Sequence, residues 1–322
     1  MFNKIRLYMK ADILVSILIP LYNAESYIED AIACLLRQTY KNIELIIVDD
    51  HSTDNSLVLA RKYEAERVHI FENPKKGGNS ARNYAFQMSK GEYVKFMDAD
   101  DFCTDNMIEK QLERMIKDGD NLSLVFSSVK MLYPDGHLFL PPREIDRDYT
   151  PGIELLIDIW RGKGWNCPHC HLMHRDLVAV SGGWDEKIIK NQDGEFFARV
   201  AACASKSLYV PDVYAVWRQT GIGVSTKKSL DAYASVIATY SIITNLILQY
   251  QNNSENRYCC AKYIGGFVYG SYPDIKPLMP QVYAILDKIK QPVILPKRRI
   301  LMVLRLFFGW KLALNIIHKY NL

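Results

Sequence analysis

Three aspartates lie close together at the end of an apolar stretch, where Asp98, Asp100 and Asp101 follow Tyr93–Met97. Carboxylates this close repel one another, and burying them costs free energy unless a cation lies between them. Mg²⁺ and Mn²⁺ take a few oxygen ligands from a protein and complete their shells with phosphate oxygens. The run therefore predicts a divalent metal on Asp98 and Asp100 that bridges the chain to a diphosphate. For so short a motif, the alternative is a solvated acidic turn ahead of a helix.

A second acidic turn, Asp49-Asp50, follows the apolar run Ile43–Val48. A carboxylate in this position can accept hydrogen bonds from a base or from a ribose hydroxyl. Farther along, Gly77-Gly78 and Arg82 come at the predicted start of a helix, which is a place suited to an anion. A pair of glycines is weak evidence alone, so these residues gain meaning only from the elements around them.

Short apolar runs alternate with helical patterns over the first hundred residues. The apolar runs are Leu14–Ile19, Ile43–Val48, Val68–Phe71 and Tyr93–Met97. The helical patterns between them cover Ser26–Arg37, Asn55–Tyr63 and Ser80–Met88. This alternation predicts parallel strands buried under helices. Right-handed crossovers then place the loops after Ile19, Val48 and Met97 at one edge of the sheet, where open α/β sheets bind ligands.

Five short motifs occur in order near the start of the chain. They begin at Val15, Gln38, Val48, Ala81 and Gly91, and they read VSILIPLYN, QTY, VDDxSTD, ARN and GEYVKFMDADD. Together they resemble the family 2 glycosyltransferases of GT-A fold, densely over residues 14–103 and thinly from there to 225. The resemblance implies an α/β fold, with a Rossmann-like, mostly parallel sheet, helices on both faces and a C-terminal helical extension.

The resemblance also implies that different parts of the chain have different functions. Residues 11–103 would form the nucleotide-sugar-binding half of the GT-A domain, and residues 104–225 the acceptor-binding half. Residues 226–322 would form a helical extension with a basic amphipathic tail. The implied activity is inverting transfer of a sugar from a nucleotide diphosphate donor, with UDP expected, to a hydroxyl of a glycan or lipid-linked acceptor in cell-surface polysaccharide synthesis. The alternative enzyme is a nucleotidyltransferase on a similar sheet, which would release pyrophosphate.

Residue by residue, the resemblance implies donor and cofactor contacts. Pro20 and Tyr22 would flank the base, and Asp50 would hydrogen-bond to it. Asp98 would approach the ribose or the sugar, and Asp100 would hold Mg²⁺ or Mn²⁺ against the diphosphate. The arginine of the ARN motif is a candidate for diphosphate contact. The implied cofactor-binding set is Pro20, Tyr22, Asp50, Arg82, Asp98 and Asp100, of which Asp100 and Asp98 are the metal ligands.

Inverting transfer needs a base, because a neutral hydroxyl is a poor nucleophile. The family places an acid after a G-[WF]-D-E turn, and this chain has Gly183-Trp184-Asp185-Glu186 followed by Asp193. Asp193 at a predicted helix entrance matches the family's base position, so it is the expected catalytic residue. The alternative is that Asp193 only caps the helix, since aspartate is favoured at that position.

The segment Cys167–His174 contains the pattern C-x-x-C-H and favours a different class of protein. This pattern is typical of haem attachment, and a Cys/His cluster could equally hold zinc. Haem attachment requires export, which the expected cytoplasmic location argues against. A zinc site would need a second pair of ligands farther along the chain, and the sequence offers none. We therefore expect these side chains to line the acceptor side of the pocket. A metal- or haem-binding protein built on this segment remains the alternative.

The net charge of +4 is unevenly distributed, because residues 288–322 contain eight Lys or Arg and no Asp or Glu. Interleaved apolar residues predict a cationic amphipathic helix from Lys297 that lies on an anionic membrane surface and does not cross it. A terminal helix that packs on the catalytic domain or in a dimer is the alternative. No nucleic-acid partner is expected, and the sequence predicts no oligomeric state.

The seven cysteines are an odd number, and the apolar run Ile13–Pro20 is too short for a signal core. Both observations favour reduced thiols in a cytoplasmic protein. With the basic tail, the expected location is the cytoplasm, including peripheral attachment to the inner face of the cell membrane.

Overall fold

The computed structural model describes residues 13–221, 223 and 226–320. This part of the chain divides into two compact units. The first runs to Ile188 and resumes over Gln192–Gly223, and it combines strands with helices. The second holds Ile189–Asn191 and the described residues after Gly223, and it is helical.

The first half of the α/β unit alternates strands and helices, as predicted. The strands are β1 (Val15–Leu21), β2 (Ile43–Asp49), β3 (Val68–Glu72) and β4 (Tyr93–Phe96). The helices are α1 (Ile28–Leu36), α2 (Ser56–Arg61) and α3 (Gly78–Met88). β1 pairs in parallel with β2 and β4, and β2 pairs in parallel with β3. Every residue of β2 is buried, as expected for a strand covered on both faces.

The second half of this unit adds shorter elements. These are β5 (Phe102–Cys103), α4 (Met107–Asp118), β6 (Ser123–Leu132), β7 (Leu138–Phe139), α5 (Ile153–Trp160), β8 (His171–His174), α6 (Arg175–Val180), α7 (Gln192–Cys203) and β9 (Lys206–Arg218). One sheet has the order β3-β2-β1-β4-β8-β6-β9-β5, with β7 paired to β6. The parallel pairing of the first half ends at β8, which is antiparallel to both of its neighbours.

The end of β4 is supported by rigid packing. Trp184 stacks on Phe196 at 4.2 Å between ring centroids, and Phe96 meets Trp184 edge-on at 5.2 Å. Lys95, the residue before Phe96, is fully buried. Its Nζ donates to Gln111 Oε1 at 3.0 Å and to the His171 carbonyl at 3.1 Å. The strand that leads to the aspartate run is therefore held on both faces.

The helical unit consists of α8 (Leu230–Tyr250), α9 (Ser254–Ser271), α10 (Met279–Lys288) and α11 (Arg299–Tyr320). Ser229 caps α8 by accepting from the Ala232 N–H, as serine commonly does. α11 is interrupted at Gly309, whose φ of 68° and ψ of 165° are not helical. The tail is thus helical as predicted, but it is not one continuous amphipathic helix, because the backbone at Gly309 interrupts it.

Candidate active site

The predicted ligand-binding edge exists because β1, β2 and β4 are parallel neighbours. Leu21 pairs with Asp49, and Leu18 pairs with Phe96, so the three strands end near one another. The residues that follow these strands, among them Tyr22, Asp50 and Asp98, therefore share the carboxyl edge of the sheet. We call this region the acidic edge and define it by Asp98, Asp100 and Asp101.

Pro20 lies inside β1, in the middle of the sheet. Proline has no backbone N–H, so in such a position it would normally interrupt the hydrogen bonds between neighbouring strands. The Leu18 carbonyl accepts from Met97 N on the β4 side, whereas the Leu21 carbonyl accepts from Asp50 N on the β2 side. The backbone of Pro20, like that of Leu18, therefore faces β4. Because β4 ends opposite Leu18, the missing N–H of Pro20 removes no hydrogen bond between the two strands. Tyr22, two residues later, is 52% exposed and free to meet a flat ring.

Asp50 holds the loop that leads into α3. Its Oδ1 accepts from Asn73 Nδ2 and from the Gly77 N–H, both at 2.7 Å. Among the described residues nothing donates to its Oδ2. One oxygen of Asp50 thus shapes the loop, and the predicted contact with a base falls to the other oxygen.

Arg82 connects the acidic edge to the start of α7. Its Nη2 donates to Asp98 Oδ1 at 2.8 Å, and its Nη1 donates to Gln192 Oε1 at 3.2 Å. The guanidinium also lies over the Trp184 ring at 4.6 Å. The Arg82 side chain is only 11% exposed, and its two terminal nitrogens are engaged, whereas its buried Nε has no hydrogen-bond partner among the described residues. The geometry supports a positioning role, and the predicted diphosphate contact stays a prediction.

The acidic edge carries negative charge that the protein compensates incompletely. Burial, together with the charge of Asp98, raises the pKa of Asp100 to about 6. Among the described residues no side chain donates a hydrogen bond to the Asp100 carboxylate, although Arg218 Nε donates to the Asp100 backbone carbonyl at 3.0 Å. A bound cation would remove this electrostatic cost.

Asp101, the third aspartate of the acidic edge, contacts other protein groups and not a prospective cation. Its Oδ1 accepts from the Arg218 N–H at 2.8 Å, and its Oδ2 lies 3.4 Å from His169 Nδ1. Burial and the charges of Asp100 and Asp98 raise the pKa of Asp101 well above its usual range. Burial lowers the pKa of His169 to about 4. Both shifts favour the neutral forms of the two side chains.

The donor set of the acidic edge suits one type of metal site. Within the described residues, no group of three or more His, Cys, Asp or Glu side chains is arranged to hold a metal ion. Mg²⁺ and Mn²⁺ need only one or two carboxylates when a substrate supplies phosphate oxygens. Asp100, which is partly buried and accepts no side-chain hydrogen bond among the described residues, fits this requirement, and the charge of Asp98 acts on it. The residues therefore fit an ion that arrives with a diphosphate.

Asp193 reaches the acidic edge although it is distant in sequence. Burial and the charge of Asp98 raise the pKa of Asp193, while Arg82 lowers it, so the three side chains are electrostatic neighbours. Because α7 begins at Gln192, Asp193 lies inside the first turn and not at the N-cap position. In that first turn the backbone N–H of Gly194 lowers the pKa of the Asp193 carboxyl, so the capping alternative and the catalytic role both stay predictions.

The turn before Asp193 is held from two helices. Asn83 on α3 accepts from the Trp184 N–H at 2.9 Å and donates to the Trp184 carbonyl at 2.8 Å. Arg199 on α7 donates to the Gly183 carbonyl at 2.7 Å. Gly183 has a φ of +68°, and a Cβ there would lie 3.1 Å from Asn83 Oδ1, which explains the glycine.

Three residues that hold this part of the site were not predicted from the sequence: Asn83, Gln192 and Trp184. A signal was present, because Asn83 belongs to the ARN motif and Trp184 to the G-W-D-E turn. Their pairing across 101 positions of the chain could not be read from either motif alone.

The Cys167–His174 segment forms part of the core behind the site. Cys170 and His169 are fully buried, and His171 stacks on Phe197 at 4.1 Å. None of the seven cysteines forms a disulfide bond. These contacts give no support to the zinc or haem alternative.

A family model described as glycosyl transferase family 2 matches residues 16–180. An Escherichia coli relative, "UDP-Glc:alpha-D-GlcNAc-diphosphoundecaprenol beta-1,3-glucosyltransferase WfgD", is 34% identical over 137 residues, covering 42% of this chain and 53% of the relative. The "amylovoran biosynthesis glycosyltransferase AmsB" of Erwinia amylovora is 29% identical over 196 residues, covering 58% of this chain and 64% of the relative. This chain therefore spans about half to two thirds of the length of these curated relatives.

The fold has a solved counterpart in the crystal structure of S. aureus TarS 1-349 in complex with UDP-GlcNAc. The two structures superpose with a TM-score of 0.70 over 95% of this chain and 91% of the other, at 18% identity. At this identity the match establishes the shared GT-A architecture, including helices after the α/β unit.

Proposed function

Because the chain belongs to glycosyl transferase family 2, we propose that it transfers a sugar from a UDP-linked donor to a hydroxyl of a glycan or lipid-linked acceptor, with inversion at the anomeric carbon. The observation that carries this proposal is the link that Arg82 makes at the carboxyl edge of the sheet, where its Nη2 donates to Asp98 and its Nη1 donates to Gln192, the residue before Asp193. This is the edge at which open α/β sheets bind ligands. A donor diphosphate and the acceptor hydroxyl could therefore bind next to each other at this edge.

The donor base would bind between the ends of β1 and β2. The exposed Tyr22 ring and the adjacent Pro20 offer flat apolar surface to the base. Asp50 is held by Asn73 and Gly77 through Oδ1, so Oδ2 is oriented in advance to accept from a base N–H.

Asp100, with Asp98, would hold Mg²⁺ or Mn²⁺ against the diphosphate. When bound, the ion would neutralise charge that develops on the leaving nucleoside diphosphate. Arg82 fixes Asp98 through Oδ1, and this ion pair keeps the Asp98 carboxylate in place before the donor arrives. The protein's own contribution is thus an arranged set of oxygens whose mutual repulsion favours cation binding.

Asp193 would serve as the general base. The acceptor oxygen forms a bond to the anomeric carbon while the bond from that carbon to the diphosphate oxygen breaks. The proton of the acceptor hydroxyl moves to the Asp193 carboxylate, and the nucleoside diphosphate leaves with the electron pair. A raised pKa makes Asp193 a stronger base than an exposed aspartate, which suits this step.

The acceptor and location are proposed on separate grounds. WfgD, by its name, uses UDP-Glc and a GlcNAc-diphosphoundecaprenol, which supports a UDP-sugar donor and a lipid-linked acceptor here. Seven cysteines without a disulfide bond suit a reducing compartment. We therefore place the enzyme in the cytoplasm, on the inner face of the cell membrane, in the synthesis of a surface polysaccharide.

The test is a donor screen on the purified chain with UDP-, GDP- and dTDP-sugars, with Mn²⁺, Mg²⁺ or a chelator. We expect nucleoside diphosphate release from UDP-sugars that requires a cation and increases with a lipid-linked glycan acceptor. Release of pyrophosphate would instead identify a nucleotidyltransferase. If no nucleotide-sugar binds or reacts, the proposed function is wrong.

A further inference from the structure

The first part of α11 exposes large apolar side chains to water. Leu306 is 83% exposed and Phe307 is 75% exposed, and Phe308, Val303 and Met302 are each exposed by half or more. We call these five residues the apolar ridge. Single exposed apolar residues are ordinary, but a contiguous group of this size marks an interaction surface.

The charge around the apolar ridge indicates what kind of partner covers it. Arg298, Arg299, Arg305 and Lys311 flank it, and residues 288–322 contain no Asp or Glu. A second apolar protein surface would not require this one-sided charge. An anionic lipid surface matches both features, because lysine and arginine near such a surface are attracted to lipid phosphates while apolar side chains enter the acyl boundary.

The break at Gly309 argues that α11 lies on a membrane and does not cross it. By length and composition, α8 and α11 both qualify as spans among the described helices. Half of the apolar window of α8, however, is buried inside the protein, as in a core helix. The break limits the first segment of α11 to Arg299–Phe308, about 15 Å at about 1.5 Å per residue. A bilayer core of about 30 Å is twice that length.

The segment of α11 after Gly309 is committed to the helical unit. Ala313 and Leu314 are fully buried, and His318 Nε2 lies 2.7 Å from the Tyr269 carbonyl on α9. Trp310 meets Tyr272 edge-on at 5.8 Å between ring centroids. One segment of the helix is therefore anchored in the protein, and the other presents the apolar ridge.

We propose that the apolar ridge, with Arg298, Arg299 and Arg305, inserts into the headgroup region of an anionic membrane while the rest of α11 stays packed in the helical unit. This inference extends the membrane location in the proposed function, but it requires no catalysis. The lipid is identified by its charge, and any anionic glycerophospholipid would serve.

Co-sedimentation of the full chain with vesicles tests the inference. The probes are phosphatidylcholine vesicles with and without phosphatidylglycerol, at low and high salt. We expect binding only to the anionic vesicles, weakened by salt. The double variant Leu306→Ser/Phe307→Ser should bind at least about tenfold more weakly, because each side chain contributes more than a tenfold change when transferred from water. Val58→Ser on α2, a comparably exposed apolar residue at 63%, is the matched control and should bind like the native chain.

Three outcomes would overturn the inference: no binding to anionic vesicles, equal binding to neutral ones, or native-like binding by the double variant. A dimer that the double variant converts to monomer, with no vesicle binding, would assign the apolar ridge to a second copy instead. Melting temperatures and UDP-sugar hydrolysis are measured on the same samples. Vesicle binding without hydrolysis would reject the proposed function and leave the membrane inference standing.

Discussion

The chemistry assigned to this chain depends on a few carboxylates whose surroundings differ. Asp100 is partly buried and accepts no side-chain hydrogen bond among the described residues, Asp98 is paired with Arg82, and Asp101 lies against His169. The aspartates are adjacent in sequence, yet only Asp100 is left in need of a cation. This difference allows each residue to be tested separately.

Substitution of the general base should separate chemistry from binding. Asp193→Asn keeps the side chain's size but removes its basicity, so turnover should fall by about 10²- to 10⁴-fold with UDP affinity nearly unchanged. Because burial raises the pKa of Asp193, the native rate should decline as pH falls through that raised value, whereas the variant should lose this acidic limb. Transfer rates across pH and isothermal titration of UDP measure both effects.

Asp231→Asn is the matched control, because Asp231 also lies in the first turn of a helix, α8. It should leave the rate within about twofold, in line with ordinary surface substitutions. Near-native turnover in Asp193→Asn would remove Asp193 from the mechanism.

Asp100→Asn should stabilise the free protein while weakening it as an enzyme. The pKa of Asp100 is raised to about 6 in the folded state, from 3.8. Its ionisation therefore costs folding free energy as pH rises from below 3.8 through about 6. Above that pH the variant should be more stable by about 1–3 kcal/mol, and below pH 4 the gain should disappear. Thermal melts at several pH values, without metal, check the sign.

The same variant should lose the increase in UDP affinity that Mn²⁺ confers. Asp135→Asn, at the exposed turn between β6 and β7, provides the control for both measurements, because asparagine preserves its hydrogen bond from the His137 N–H. A fully retained Mn²⁺ effect in Asp100→Asn would show that the cation binds elsewhere.

At the scale of elements, the site depends on how α3 and α7 are joined. Asn83 on α3 makes two hydrogen bonds to Trp184, and Arg199 on α7 holds the same turn. Arg82 on α3 reaches Gln192, which precedes Asp193. The position of the proposed base is therefore set by side chains on a helix more than a hundred residues earlier.

Asn83→Ala should displace this turn. Losing two hydrogen bonds to backbone groups should cost about 1–3 kcal/mol of stability and, if Asp193 moves with the turn, lower kcat by about tenfold or more. The control Asn245→Ala removes only an exposed contact with Lys288 and should leave kcat unchanged. A lower melting temperature with native kcat would mean that Asn83 stabilises the fold without positioning the base.

At the scale of the whole molecule, two compact units carry separate tasks in our proposal: sugar transfer in the α/β unit and membrane contact in the helical unit. α11 serves two purposes, because Leu314 is fully buried whereas Leu306 is almost fully exposed. Removing the entire tail would therefore confuse loss of membrane contact with loss of core packing. Single substitutions on either side of Gly309 avoid this problem.

Leu314→Ala should destabilise the helical unit by about 2–5 kcal/mol, as other leucine truncations in cores do. Vesicle binding measured below the melting temperature should stay within about twofold of native, which is the reverse of the result expected for the apolar ridge. Calorimetry and co-sedimentation on the same samples give the comparison. Loss of vesicle binding in a folded Leu314→Ala protein would contradict the division of α11 into an anchored and an exposed segment.

The parallel half of the sheet followed from the sequence alone, because its signals are local. Each apolar run is long enough to be a buried strand, and each acidic turn directly follows one. Once the strands are parallel, their ends must meet, so the edge near Asp50 and Asp98 required no knowledge of packing. The family motifs, also local, pointed to the same edge and to Asp193.

Only the tertiary structure decided which of these residues remain available to a ligand. Arg82 looked free to bind an anion, but Asp98 and Gln192 already engage its two terminal nitrogens. Asp101 resembles Asp100 in sequence, but it lies against His169. The tail looked like one amphipathic helix until the backbone of Gly309 divided it. Each outcome depends either on contacts between distant segments or on the conformation of a single residue. Neither of these produces a pattern of apolar residues from which it could be predicted.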